Sequence, residues 1–110
     1  MELAEDPRFA AIIATFSGDR RVTSGRMMAS LGLKVGGKIF AMLVRGDLVV
    51  KLPRARVTAL VDSGLGQQFD PRRDGRVMKE WLVISGDALP WVAIAREARD
   101  FVGGATPKPR

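Results

Sequence analysis

The stretch GLKVGGKI, residues 32 to 39, places two glycines and a lysine at the spacing of a phosphate-binding loop. Such a loop also needs a hydroxyl residue after the lysine to bind magnesium, and a following helix whose first amides hold the phosphates. Ile39 stands at the hydroxyl position, and the sequence KIFAMLV that follows is typical of a strand. We therefore interpret the stretch as a β-hairpin with Gly36 and Gly37 at its tip and Lys38 on its rim.

Catalytic chemistry has few residues to draw on, because the chain of 110 residues contains no histidine, cysteine or tyrosine. The usual base near neutral pH, the thiol nucleophile and the phenolic acid are therefore excluded. A serine–lysine pair, such as Ser30 with Lys34 or Lys51, stays open as an alternative. A small enzyme that gathers Lys51, Lys79 or Glu80 in a pocket stays open as well.

The acidic residues mostly occupy turn or capping positions, where hydrogen bonds to the backbone explain them. Asp70 and Asp74 could share a hard cation, but such a site needs several converging oxygens, and three arginines lie among these residues in the sequence. We predict a non-enzymatic chain with no cofactor and no metal.

Positive charge is concentrated in the middle of the chain, although the net charge is only +6. Residues 20 to 58 hold nine basic side chains and one acidic side chain. Such a region attracts an acidic protein or a nucleic acid, or it is simply a solvated face. Aromatic residues for base stacking are scarce, so direct nucleic-acid binding is the alternative hypothesis. Its candidate contacts are Arg20, Arg21, Arg26, Arg72, Arg73 and Arg76.

Three helices are predicted from cap residues and from apolar residues at helical spacing. Asp6 caps a first helix, with proline at the first helical position. Pro53 opens a second, short helix. Asp87 is expected to cap a last helix, which Gly103 and Gly104 close.

Strands are predicted between the first two helices. Residues 18 to 26, GDRRVTSGR, are polar and punctuated by glycine, which is typical of a loop. Residues 27 to 52 follow as three strands in a meander, with turn signals at Gly36–Gly37 and Gly46–Asp47.

Strict alternation along this meander divides the side chains between two faces of the sheet. It places Ile39 toward the core, and Phe40 and Met42 on the other face, with Lys38 and Lys51 at its edge. Lys38, Phe40, Met42 and Lys51 are therefore the candidate partner interface.

The rest of the chain completes a two-layer α+β sandwich. Residues 64 to 76 are read as a long exposed loop with a short strand around Phe69, and residues 77 to 85 as a further strand. The order α-β-β-β-α-β(β)-α predicts an antiparallel sheet with helices on one face. We expect one domain over residues 1 to 103, a disordered basic tail over residues 104 to 110, and a homodimer that covers the open face.

Three segments resemble the N-terminal domain of the TfoX/Sxy family of competence regulators. They are RMMASLGLKVGGKIFAMLVRGDLVVKL, FDPRRDGRVMKEWLVI and WVAIAREARDFV, and the resemblance covers about residues 7 to 102. Met28 stands where the family commonly has phenylalanine. The positions that match the family's pattern are Arg26, Met27, Gly32, Gly37, Lys38, Phe40, Ala41, Leu48, Lys51 and Met78.

The resemblance implies a two-layer fold similar to secretion chaperones, which often dimerise. It also implies a regulatory role, because the named members promote expression of DNA-uptake genes together with a transcription factor. Full-length regulators carry a C-terminal helical domain that has no counterpart in these residues, so we expect a short, stand-alone member. The chain has no stretch apolar enough to span a membrane and no secretory signal at its start, so we expect a cytoplasmic interaction module with a protein partner.

Overall fold

The computed structural model describes residues 6–27, 30–69, 78–86 and 88–104, and at positions 26, 27, 30 and 78 it describes the backbone alone. These residues form three helices and six strands. In chain order they are α1 Pro7–Thr15, β1 Val22–Met27, β2 Ser30–Val35, β3 Lys38–Val44, β4 Asp47–Lys51, α2 Arg54–Asp62, β5 Gln67–Phe69, β6 Met78–Ile84 and α3 Trp91–Gly103.

The six strands form one antiparallel sheet in the order β1-β2-β3-β4-β6-β5. The first four strands follow one another as a meander. After α2 the chain runs along the outer strand β5 and returns as β6, which lies between β4 and β5. All three helices contribute to a single core on one face of the sheet, so the predicted two-layer α+β class is confirmed.

The residues at the N-terminus of each helix explain where the helix begins. Asp6 caps α1 as predicted, because its Oδ1 accepts the backbone N–H of Arg8 at 2.8 Å. Pro53 precedes α2, also as predicted. The last helix begins at Trp91, directly after Pro90, whereas the predicted cap, Asp87, lies outside the described residues.

The hairpin between β2 and β3 has the two-residue turn that its glycines predict. Gly36 and Gly37 have φ of +59° and +85°, and Val35 pairs with Lys38 on either side of them. Positive φ at both central residues is the type I′ geometry that suits the twist of the strands. The glycines and lysine that resemble a phosphate-binding loop therefore belong to a β-hairpin.

The next turn lies one residue earlier than predicted. Its central residues are Arg45 and Gly46, with φ of +51° and +83°, and Val44 pairs with Asp47. The glycine supplies the second left-handed position, and Arg45 adopts the first despite its Cβ.

One strand forms where the sequence predicts a loop. The segment Val22–Met27, read as a polar connection, is the edge strand β1 and pairs with all of β2. An edge strand has a neighbour on one side only, so its polar residues can face water.

A β-bulge in β3 places two successive side chains in the core. The pairing of β2 with β3 shifts between Leu33 and Lys34, which leaves Phe40 without a directly opposite residue. Phe40 and Ala41 are both fully buried as a result. The Phe40 ring meets Phe16 edge-on, with 5.4 Å between the ring centroids.

The bulge overturns part of the predicted division into faces. Phe40, expected on the open face, lies under the helices, and Ile39, expected in the core, pairs with Lys34 on the open side. Lys38 pairs with the core residue Val35 and therefore lies at the rim of the helix side. Strict alternation fails here because the extra residue reverses the direction of every side chain before it.

None of the helices in the described ranges is long and apolar enough to cross a membrane. Of the expected basic tail, the structure describes only Gly104, which ends α3 in the left-handed conformation with a φ of +67°.

Candidate interaction surface on the open side of the sheet

The face of the sheet opposite the helices carries a row of apolar side chains across its central strands. Met42 of β3 pairs with Val49 of β4, and Val49 pairs with Val83 of β6. Directly opposite residues in an antiparallel sheet point to the same face, so these three form a continuous cross-strand row. Val49 is only 1% exposed although it does not belong to the helix-side core.

An aromatic and charged group borders this row. Lys51 pairs with Trp81, and its Nζ lies 5.9 Å from the centre of the Trp81 ring. The same Nζ lies 3.9 Å from Oε1 of Glu80. The ammonium group is thus attracted by both a ring face and a carboxylate while all three side chains remain partly exposed. We use the name open face for Met42, Val44, Val49, Lys51, Trp81 and Val83.

The open face is not flat at the end near β5. A shallow cavity of about 170 Å³ lies beside the open-face residues Val44, Val49 and Val83. Asp47, Gln67 and Phe69 are also part of its lining, so its surface is partly polar. A site of this size and exposure resembles the uneven floor of an interface more than an enclosed pocket for a metabolite.

The predicted interface residues do not lie together. Met42 and Lys51 belong to the open face, whereas Phe40 is buried in the core and Lys38 lies at the rim of the helix side. The open-face residues missed by the prediction are Val44 and Val49 of the meander and Trp81 and Val83 of β6. The alternation of the last two along one strand was visible in the sequence, but the signal could not show that β6 lies next to β4.

Of the six arginines predicted to contact nucleic acid, two have described side chains. Arg20 is exposed in the turn before β1. Arg21 is also exposed, and its Nη1 donates to the carbonyl of Gly103 at 3.2 Å. The side chain of Arg26 lies outside the described part of the chain, as do Arg72, Arg73 and Arg76.

The residues proposed for catalysis or metal binding show a similar division. Lys51 of the open face forms an exposed ion pair with Glu80. The side chain of Ser30 lies outside the described residues, and so do Asp70 and Asp74. Within the described ranges, no three acidic side chains come together as a metal site would require.

Among the residues that the structure describes, three titratable groups have displaced pKa values, and all three lie on the side of the helices. The Arg99 guanidinium hydrogen-bonds Asp19 and lowers the pKa of that carboxyl. The Arg8 guanidinium hydrogen-bonds Asp6 and likewise lowers the pKa of the Asp6 carboxyl. Hydrogen bonding to Glu97 raises the pKa of Arg56. Each shift accompanies an ion pair. The Asp19–Arg99 and Arg56–Glu97 pairs join different elements of the fold, whereas Asp6 pairs with the helix that it caps.

A comparison with known families identifies the family of this chain. A search of curated proteins finds no match to the chain. The model of the TfoX N-terminal domain family matches residues 14–99, which is most of the chain. The matched range includes all six strands, the second helix and most of the third. The chain therefore belongs to the TfoX N-terminal domain family.

Proposed function

We propose that this chain is a non-enzymatic regulatory module that acts through protein contacts and pairs with a second copy of itself across the open face. Membership of the family supports a competence-related regulatory domain at the level of the family. The finer role, control of the transcription of DNA-uptake genes together with a transcription factor in the cytoplasm, is part of the proposal.

The observation that carries the proposal is the apolar row Met42–Val49–Val83 on a face where the described residues place no helix. Val49 itself is buried, but Met42, Trp81 and Val83 are partly exposed, and apolar surface bordered by charged groups is typical of interaction sites in soluble proteins. Burial of the row and of Trp81 against another surface would remove further apolar area from water.

The charges around the row favour a second copy as the partner. The open side carries Lys34 and Lys51, and it also carries Asp47, while the carboxylate of Glu80 lies 3.9 Å from the Lys51 ammonium. In a two-fold symmetric interface each patch meets itself, so a face with both signs of charge can set its lysines against the partner's carboxylates. A purely basic face would repel its own copy.

Light scattering on the purified chain tests this proposal. We expect the mass of a dimer for the wild type and of a monomer for the double variant Met42→Glu, Val83→Glu, because four added carboxylates would lie buried in the symmetric interface. Phe101→Glu is the matched control, since Phe101 is a large apolar side chain exposed elsewhere, on α3. A wild-type mass of one chain, or a dimer that survives the double substitution, would contradict the proposal.

Direct nucleic-acid binding is the second candidate, favoured by the excess of basic residues between positions 20 and 58 and by the exposure of Arg20 and Arg21. Phosphate contacts release counterions, so binding of a DNA duplex should weaken steeply with salt and fall further in Arg20→Ala, Arg21→Ala. Retention on DNA that does not respond to these changes argues against this candidate. An enzyme using Lys51 and Glu80 is the third hypothesis, and this exposed ion pair gives it little support.

A further inference from the structure

The outer edge of β1 offers backbone hydrogen-bonding groups to a further strand. β1 is the first strand in the sheet order, and within the described residues it pairs with β2 alone. The N–H of Gly36 donates to the carbonyl of Arg21 at 3.0 Å, so the backbone of Arg21 faces β2. Alternation in an antiparallel ladder then directs Thr23 toward β2 and Ser24 toward the outer edge.

Ser24 is the central residue of this edge. The N–H of Val22, also directed outward, is already used by the carbonyl of Asp19 at 3.0 Å. Ser24 has no such local partner in the described backbone hydrogen bonds, so it presents both its N–H and its carbonyl. A strand added here would pair with Ser24 and with the carbonyl of Val22.

A groove lies next to the same edge, between the end of α1 and β1. Its volume is about 270 Å³, and its lining includes Ile13, Phe16, Val22 and Leu33, with Ser17 and Ser24 also contributing. Ile13 and Val22 are only half-buried, so they present apolar surface to water. A cavity of about 150 Å³ already holds a benzene molecule, so this groove has room for one large apolar side chain.

The edge and the groove are in register with each other. A residue of an added strand directly opposite Ser24 would have its side chain on the same face as that of Ser24, which is the side of the groove. The residues before and after it would point to the other face. An extended peptide can therefore pair its backbone with β1 while one apolar side chain enters the groove.

The charges at the start of β1 favour an acidic peptide. Arg20 is exposed there, and Arg21 is exposed as well, although its guanidinium also donates to the carbonyl of Gly103. The nearby carboxylate of Asp19 is engaged by Arg99 at 2.8 Å. These four side chains have a net positive charge, which attracts carboxylates beside the apolar residue. An apolar groove along a strand edge suits a peptide better than a nucleic acid, whose backbone needs cations along its length.

We propose that the outer edge of β1 and the groove beside α1 bind an extended acidic segment of a partner protein, with one apolar side chain in the groove. This inference builds on the proposed role as a protein-interaction module but uses a surface separate from the open face. Dimerisation and peptide binding can therefore fail independently.

Selection from a phage-displayed library of short random peptides, followed by titration of the enriched peptides, tests the proposal. We expect enriched peptides to carry an apolar residue flanked by acidic residues. Ser24→Pro removes the outward N–H but no hydrogen bond to β2, and proline is tolerated on edge strands. It should weaken binding by about tenfold, because the peptide loses a backbone partner. Ser24→Ala keeps the N–H and changes only the hydroxyl at the groove, so the difference in affinity between the two variants measures the backbone hydrogen bond.

Hydrogen exchange supplies a second readout. The bound peptide should slow exchange most at the Ser24 amide of the wild type, and its neighbours in β1 should follow because the bound edge strand opens less often. Addition of the peptide should leave exchange in β1 of Ser24→Pro unchanged, while urea unfolding checks that this variant remains folded. The proposal is overturned if no peptide is enriched, if Ser24→Pro binds the enriched peptides as well as the wild type does, or if a DNA duplex rather than peptide protects these amides. It is also overturned if Ser24→Pro converts a dimer to a monomer, because the edge would then belong to a second copy of the chain.

Discussion

Arg99 in α3 donates its Nε–H to Oδ2 of Asp19 at 2.8 Å and so joins the last helix to the turn before β1. The other carboxylate oxygen of Asp19 accepts the backbone N–H of Arg21 at 3.0 Å. The two side chains of the pair are 15% and 24% exposed, which makes it the best shielded of the ion pairs described above. One carboxylate therefore holds both the helix and the start of the edge strand.

The substitution Asp19→Asn should destabilise the protein by about 1 kcal/mol at neutral pH, because Arg99 loses a charged acceptor while the amide can still bond the backbone. Urea unfolding followed by circular dichroism measures the change. Asp100→Asn is the control, since Asp100 lies 3.5 Å from the same guanidinium but its side chain is 66% exposed. An equal loss in both variants would show that general charge, and not this contact, is responsible.

The contribution of Asp19 should depend on pH in one direction. The hydrogen bond from Arg99 lowers the pKa of Asp19 in the folded protein below the ordinary value of 3.8. The stabilisation is therefore complete above pH 3.8 and disappears as the pH falls through the lower, folded pKa. Urea unfolding of the wild type and of Asp19→Asn over a pH series should show curves that converge in acid. A constant difference down to the most acidic buffer would contradict this assignment.

Phe40 should behave as a core residue and Met42 as a surface residue. Phe40→Ala should cost about 3–5 kcal/mol, since it leaves a cavity beside Phe16, whereas Met42→Ala should cost about 1 kcal/mol or less. Phe40→Leu, which keeps an apolar side chain, should lose about 1–2 kcal/mol and remain measurable if the alanine variant does not fold. Thermal unfolding ranks the variants. A larger loss for Met42→Ala than for Phe40→Leu would mean that the bulge is misplaced.

The sequence predicts the helices and the first hairpin because their signals are local. Asp6 before Pro7 fixes a helix start within a few residues, and Gly36–Gly37 supplies the two positive φ angles of a tight turn. The face of the sheet on which Phe40 lies has no such local signal. It depends on an unpaired residue in the ladder between two strands, and no residue type in β3 specifies that bulge.

The same distinction explains the missed edge strand and the incomplete interface. The segment Val22–Met27 has polar residues and a glycine, which are typical of loops, yet pairing with β2 makes it a strand. Trp81 and Lys51 face each other only because β6 enters the sheet next to β4. Strand order is a property of the whole chain, so composition near either residue could not predict that contact.

Gly66 should resist substitution for steric reasons. A Cβ at this position would lie 2.6 Å from Cδ1 of Leu82 and 2.9 Å from the carbonyl oxygen of Val83. Gly66→Ala should therefore push β5 away from β6 and cost about 1–3 kcal/mol. Gly18→Ala, where a Cβ would meet no atom within 4 Å, should change the unfolding free energy by less than about 0.5 kcal/mol. The urea midpoints of the two variants test this prediction. Similar midpoints would show that Gly66 does not pack closely against Leu82 and Val83.

Arg45 occupies a backbone conformation that its Cβ disfavours, with a φ of +51°. Arg45→Asn should stabilise the protein by about 0.5 kcal/mol, because asparagine tolerates the left-handed region and is favoured in type I′ turns. Arg45→Ala separates this effect from the loss of positive charge, since alanine keeps the strain. Thermal unfolding should give a higher midpoint for the asparagine variant only. A rise in both variants would assign the gain to charge.

The bulge at Phe40 also sets where β3 can change its length. Lys34 pairs with Ile39 on one side of the bulge, and Leu33 pairs with Ala41 on the other. These are the pairs of a regular ladder into which one extra residue, Phe40, is inserted. Removal of Phe40 would therefore leave both neighbouring hairpins in register and take away only a ring from the core. An insertion or deletion elsewhere in the paired part of β3 would turn the side chains beyond it to the opposite face. Evolution or design can thus delete a residue at this point of the strand without changing the pairing of the rest of the sheet.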